Sequence, residues 1–159
     1  MTESFSTQIT LNVSPAEVLA AVRDPRAWWS AAITGSTGSV GDEWVYSNGE
    51  LHACRMRVEH VSPERVEWLV LANHFGFDAA GEEWVGTRIV FEIAVTEDQT
   101  ILTFTHAGLV PEHECFEVCK PAWTHYIGTS LRTYLATGVG SPNDAGSAWV
   151  EADRVLAGG

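Results

Sequence analysis

The sequence predicts an α+β domain in which one curved antiparallel sheet of about six to seven strands wraps around a long C-terminal helix. Three observations predict it. Period-two alternation of apolar and polar residues recurs in segments between Phe5 and His106. The connections between these segments are short, as an antiparallel meander requires. Between Trp123 and Leu135 the period changes to that of a helix.

The first strand is read from Phe5 to Val13, where Phe5, Thr7, Ile9, Leu11 and Val13 share one face. Ser14-Pro15-Ala16-Glu17 then carries a capping-box signature, with Ser at the N-cap, Pro at N1 and Glu at N3. It predicts a short helix to about Val22, which Asp24-Pro25 interrupts before a further turn over Arg26–Ser30. Thr34 to Gly41 reads as a loop. Trp44 and Tyr46 share a strand face, and Asn48-Gly49 signals a hairpin. The next strand, Leu51 to Val61, sets His52, Cys54, Met56, Val58 and His60 against Arg55, Arg57 and Glu59. Val66, Trp68 and Val70 follow on one face of Arg65–Leu71, and Asn73 to Gly81 reads as a loop. Thr87–Val95 points Ile89, Phe91, Ile93 and Val95 one way, and Ile101–His106 pairs back as the last strand. Trp123, Tyr126, Ile127, Ser130, Leu131, Tyr134 and Leu135 form the apolar stripe of a helix over Ala122–Thr137, with Pro121 in its first turn and Gly138 ending it. The domain is expected to span 1–142, leaving 143–159 as a loosely held tail.

Composition narrows the function classes. Of 159 residues, 45% are hydrophobic, enough for a packed core without a metal or disulfide staple. Nine basic residues against 21 acidic ones leave a net charge of −12, which repels phosphate backbones and anionic bilayers. Neither a nucleic-acid nor a membrane partner is therefore expected. The N-terminus lacks a cationic start and an apolar run, and the three cysteines make no disulfide framework. These features predict a cytoplasmic, reducing setting.

Chemical motifs are few. His52, Cys54, Met56 and His60 could offer metal ligands, yet Cys and Met on a strand face are ordinary core residues. His113, Cys115 and Cys119 do not follow a standard zinc spacing and read as structural thiols. No phosphate-cradling glycine loop, nucleophile elbow or metalloprotease helix occurs. No metal, cofactor or catalytic residue is therefore assigned.

The aromatic residues stand apart. Trp44, Tyr46, Trp68, Phe91, Phe104, Trp123 and Tyr126 all fall on faces predicted to point between sheet and helix, with Trp28 and Trp29 near one end. Part of this set is core. A solid core of so many indoles and phenols is awkward, because each buried N–H or O–H needs a partner. A groove with polar tips turned inward explains the set better, and His52 and His106 would add polar contacts there. The expected function is non-catalytic binding of a small, largely apolar molecule, lipid-like or aromatic, at the seven inward-facing aromatics from Trp44 to Tyr126 together with His52 and His106.

Three stretches carry a family resemblance: RAWWS at Arg26–Ser30, EEWVGTRIVFEI at Glu82–Ile93, and THAGLVPEHECFEVCKPAWTHYIGTSLRTYLATGVGSP at Thr105–Pro142. Together with the element order they resemble the helix-grip (START-like, SRPBCC) superfamily, in the branch named after the activator of a heat-shock chaperone ATPase. The resemblance implies a helix-grip fold across residues 5–142. It also implies two alternatives to binding alone. Some helix-grip proteins are cyclases or hydrolases with a cavity acid or base, for which His52, His106 and Tyr126 are the residues to test. The other is a chaperone-partner or interaction module. The chain leaves no room for the activator's separate N-terminal domain, so chaperone stimulation is not expected.

Overall fold

A computed structural model gives the architecture and describes residues 4–30, 33–48, 52–75, 84–110 and 116–140. Strand β1 (Phe5–Leu11) buries Phe5, Ile9 and Leu11, the alternation read from sequence. Helix α1 (Pro15–Val22) starts on the expected capping box: Ser14 Oγ accepts from Glu17 N (3.2 Å), and Glu17 Oε2 accepts from Ser14 N (3.1 Å). Two of the orphan donors of the first turn are thereby satisfied. Ser14→Ala is expected to cost about 1 kcal/mol, read as a lowered midpoint in urea denaturation; an unchanged midpoint would remove the cap from the stability argument. A single 3-10 turn at Pro25–Ala27 follows, and it delivers Trp28 and Trp29 to the interior.

The remaining strands are β2 (Ile33–Gly35), β3 (Glu43–Asn48), β4 (His52–Ser62), β5 (Arg65–Phe75), β6 (Arg88–Thr96) and β7 (Gln99–Ala107). They form a curved seven-stranded sheet, antiparallel throughout, in the order β1-β7-β6-β5-β4-β3-β2. Consecutive strands neighbour each other except β1, which closes the opposite edge against β7. The C-terminal helix runs across the inner face as α2 (Phe116–His125), a π-helical turn (Tyr126–Leu131) and α3 (Arg132–Thr137). It ends at Gly138 in the left-handed conformation (φ +85°), with Gly138 N donating to Tyr134 O. This is a helix-grip fold.

Five local readings change. Residues 33–35 pair with β3 as the edge strand β2 instead of opening a loop. Gly35 ends β2 at φ +113°, where a Cβ would stand 2.6 Å from the Glu43 carbonyl oxygen, so only glycine permits the close pairing. Strand β5 continues to Phe75 because β4 offers it partners as far as His52. A bulge at Glu59 places Val58 opposite Trp68 and His60 opposite Glu67, which turns His60 out to solvent and off the predicted inner face. The closing helix begins at Phe116, so Pro121 lies inside it and not in its first turn. Finally, the helix is not uniformly α: the π-helical turn inserts where a single helical stripe was expected. The predicted tail, His113 and Cys115 lie outside the described residues.

The outer face of the sheet is charged. Arg57 bonds Glu59 (2.6 Å), Arg88 bridges Glu59 and Glu67 (3.6 and 3.1 Å), and Arg65 reaches Glu67 and Glu92 (3.2 and 3.8 Å). The Arg57 guanidinium holds the Glu59 carboxyl below its ordinary range. These partly exposed pairs keep the outer face soluble and add little stability. Among the described residues no helix is long and apolar enough to cross a membrane.

Candidate functional site

Strand pleating aims alternate side chains at the helix, and adjacent strands place those side chains in rows. One row runs Phe5, His106, Ile89, Trp68 and Val58; the next includes Phe104, Phe91 and Val66. Trp44 sits opposite Met56, and Tyr46 opposite Cys54. The helix lowers Trp123 and Tyr126 onto this surface. Trp44, Tyr46, Trp68, Phe91, Phe104, His106, Trp123 and Tyr126 are each at most 2% exposed. The side chain of His52, the ninth predicted residue, lies outside the description.

The structure brings most of these rings into one contiguous cluster. Phe91 and Phe104 meet at 5.3 Å, Phe104 and Trp123 at 4.7 Å, Trp68 and Phe91 at 4.9 Å, and Trp44 and Trp68 edge-on at 4.9 Å. Trp29 is the hub. It stacks on Tyr46 (4.6 Å) and Trp68 (6.2 Å), meets Trp44 edge-on (5.6 Å) and touches Trp123 (5.0 Å). Sequence reasoning placed Trp29 only near one end, because adjacent residues in a turn carry no periodicity to orient them. Arg26 ties this turn to the sheet edge, donating from Nε to Ile33 O (2.9 Å) and from a terminal nitrogen to Gly35 O.

Trp84 was missed. It lies before β6 in a turn held by Gly86 N to Val70 O (2.9 Å) and Val70 N to Thr87 O (3.0 Å), so strand alternation does not reach it. Its ring stacks on Trp123 (6.0 Å) and stands edge-on to His106 (4.6 Å). The Gly-Thr pair after it was the available signal, since a turn there folds the preceding residue back onto the sheet.

Polar contacts within the cluster define roles. Trp123 Nε1–H donates to His106 Nδ1 (3.1 Å), so the neutral imidazole carries its proton on Nε2. Nε2 meets Thr87 Oγ1 at 2.8 Å, and that hydroxyl in turn donates to the Trp84 carbonyl. Both ring nitrogens of His106 are engaged, joining β7 to the turn before β6 and to the helix. Trp28 donates to Ala21 O (2.8 Å), and Ser130 Oγ donates to Trp28 O (2.6 Å), anchoring the turn to α1 and the π-helical segment. By contrast, the Nε1–H groups of Trp44 and Trp68 are buried with no acceptor among the described residues. Burial pushes the Cys54 thiol up, so it packs as a neutral residue. Among the described residues no three His, Cys, Asp or Glu side chains gather as a metal site would require.

The family model described as "Activator of Hsp90 ATPase homolog 1-like protein" matches residues 12–136. No curated protein matches the chain in sequence. Among solved structures, the Aha1 dimer from Colwellia psychrerythraea is 25% identical, with a TM-score of 0.69 over 87% of this chain and 99% of that one. DynU16, a protein of the dynemicin biosynthetic locus, is 19% identical with a TM-score of 0.62; the match covers 87% of this chain and 49% of DynU16. CalU16 from Micromonospora echinospora is 13% identical, with a TM-score of 0.62 over 86% of this chain and 78% of that one. The last two likenesses concern the fold alone.

Proposed function

The chain belongs to the Activator of Hsp90 ATPase homolog 1-like family, and from that membership we propose that it binds a small, largely apolar, lipid-like or aromatic molecule between the inner sheet face and the closing helix. The observation that carries this reading is the convergence of rings from the 3-10 turn, β3, β5, β6, β7 and the helix on one volume. Concave, mostly aromatic surroundings with a few polar tips are what small-molecule sites are made of. The rings touch one another, so a ligand enters by parting them. The wide turn at Tyr126–Leu131 adds support, because such segments concentrate at functional sites. Binding without catalysis is the reading because His106, the histidine buried among the described residues, has both nitrogens committed to structural bonds.

Fatty acids, sterols, flavonoids and aromatic acids screened by tryptophan emission and thermal shift test it. Phe104→Ala is expected to weaken a hit about tenfold, the effect of losing part of one aromatic contact surface. Arg88→Ala, on the charged outer face, is expected to leave affinity unchanged. A panel without any hit, or equal losses in the two variants, would remove the site from this place.

A further inference from the structure

We infer that the ligand of this site is an uncharged aromatic compound carrying a carbonyl-type oxygen, received by the indole N–H groups of Trp44 and Trp68. The inference rests on the binding reading above and narrows it. Trp44 is 1% exposed and Trp68 is not exposed at all, and neither Nε1–H meets an acceptor among the described residues. Buried donors are nearly always paired, and an orphan costs the desolvation of its group. The ring faces around these two indoles are weak acceptors at best. Two other indoles of the same interior have a defined acceptor: Trp28 reaches a carbonyl and Trp123 reaches His106. The fold thus supplies acceptors to those two indoles, while the donors of one edge-on pair of rings, 4.9 Å apart, meet none among the described residues.

The acceptor is neutral for a separate reason. No Lys, Arg, Asp or Glu is buried among the described residues, so a carboxylate or phosphate would find no buried countercharge from them. An uncharged carbonyl oxygen has two lone pairs and a small desolvation cost, and it suits an indole donor. A flat ring system around that oxygen suits the surroundings, since Trp29, Trp44, Trp68 and Phe91 offer both faces and edges for stacking.

The test compares 9-fluorenone with fluorene, which has the same ring outline and no oxygen, and with 9-fluorenone-2-carboxylate, which adds a charge. Fluorenone is expected to bind about tenfold tighter than fluorene, the factor one net hydrogen bond supplies. The carboxylate is expected to bind more weakly than fluorenone. In proton–nitrogen spectra of the wild-type protein, fluorenone should move the indole proton of Trp44, Trp68 or both downfield. The indoles of Trp28 and Trp123 serve as internal controls. Trp44→Phe and Trp68→Phe should erase the preference for fluorenone; if either variant fails to fold, the wild-type spectra decide. Equal affinity for fluorene and fluorenone with no downfield shift would overturn the inference while leaving the binding site in place. Tighter binding of the carboxylate would overturn the neutral acceptor. Failure of all three probes and of the wider ligand panel would overturn the binding reading itself.

Discussion

Truncating Trp123 to Ala is expected to destabilise the protein by about 3–5 kcal/mol, the range for deleting a buried aromatic side chain. The indole is 2% exposed and lies against Trp29, Phe104 and Trp84 at ring distances of 5.0, 4.7 and 6.0 Å. Its loss opens a cavity between helix and sheet and leaves His106 Nδ1 without its donor. For a domain whose total stability is of order 5–15 kcal/mol, this is a large share. Trp123→Phe is the milder change, since it keeps one ring in place while removing the N–H and part of the indole; about 1–2 kcal/mol is expected for it. Urea denaturation of the three proteins measures both. A loss below about 1 kcal/mol for the alanine variant would contradict the docking of the helix through this residue.

The second large effect is expected at His106, where replacement by Ala should cost about 3 kcal/mol from a buried cavity and an orphaned indole donor. The imidazole is fully buried and braces three elements, taking the Trp123 N–H and reaching Thr87 on the turn before β6. The urea midpoint should fall with an unchanged slope, because the exposed surface on unfolding is nearly the same. A double-mutant cycle with Trp123→Phe should return a coupling of about 1 kcal/mol between the pair. The opposite pattern would be stability within about 0.5 kcal/mol of wild type together with lost ligand binding. That result would make His106 a ligand contact, as the residue pattern by itself suggests, and not a brace.

The difference between those two roles shows how far the sequence reaches. Trp44, Trp68, Phe91, Phe104 and His106 were legible as inward-facing because the pleat of a strand is a local property, and alternation records it without knowledge of any partner. The capping box at Ser14 and the glycine stop at Gly138 were legible for the same reason: donors and acceptors within a few residues decide them. The stripe from Trp123 to Leu131 likewise followed from helical geometry alone, even though a π-helical turn runs through it. His60 was misplaced because a bulge is a relation between two strands, and only the pairing of Val58 with Trp68 and of His60 with Glu67 reveals the extra residue. Trp29 and Trp84 sit in turns, where the chain's direction changes without a period and the facing strand decides which side chain enters. Composition and alternation thus determined the fold class, the faces and most of the aromatic set. The tertiary structure decided which ring became the hub, which histidine nitrogen accepts the indole N–H, and that the indoles of Trp44 and Trp68 meet no acceptor among the described residues. A hydrogen bond needs its partner at a set distance and angle, and that partner comes from a segment far away in the chain.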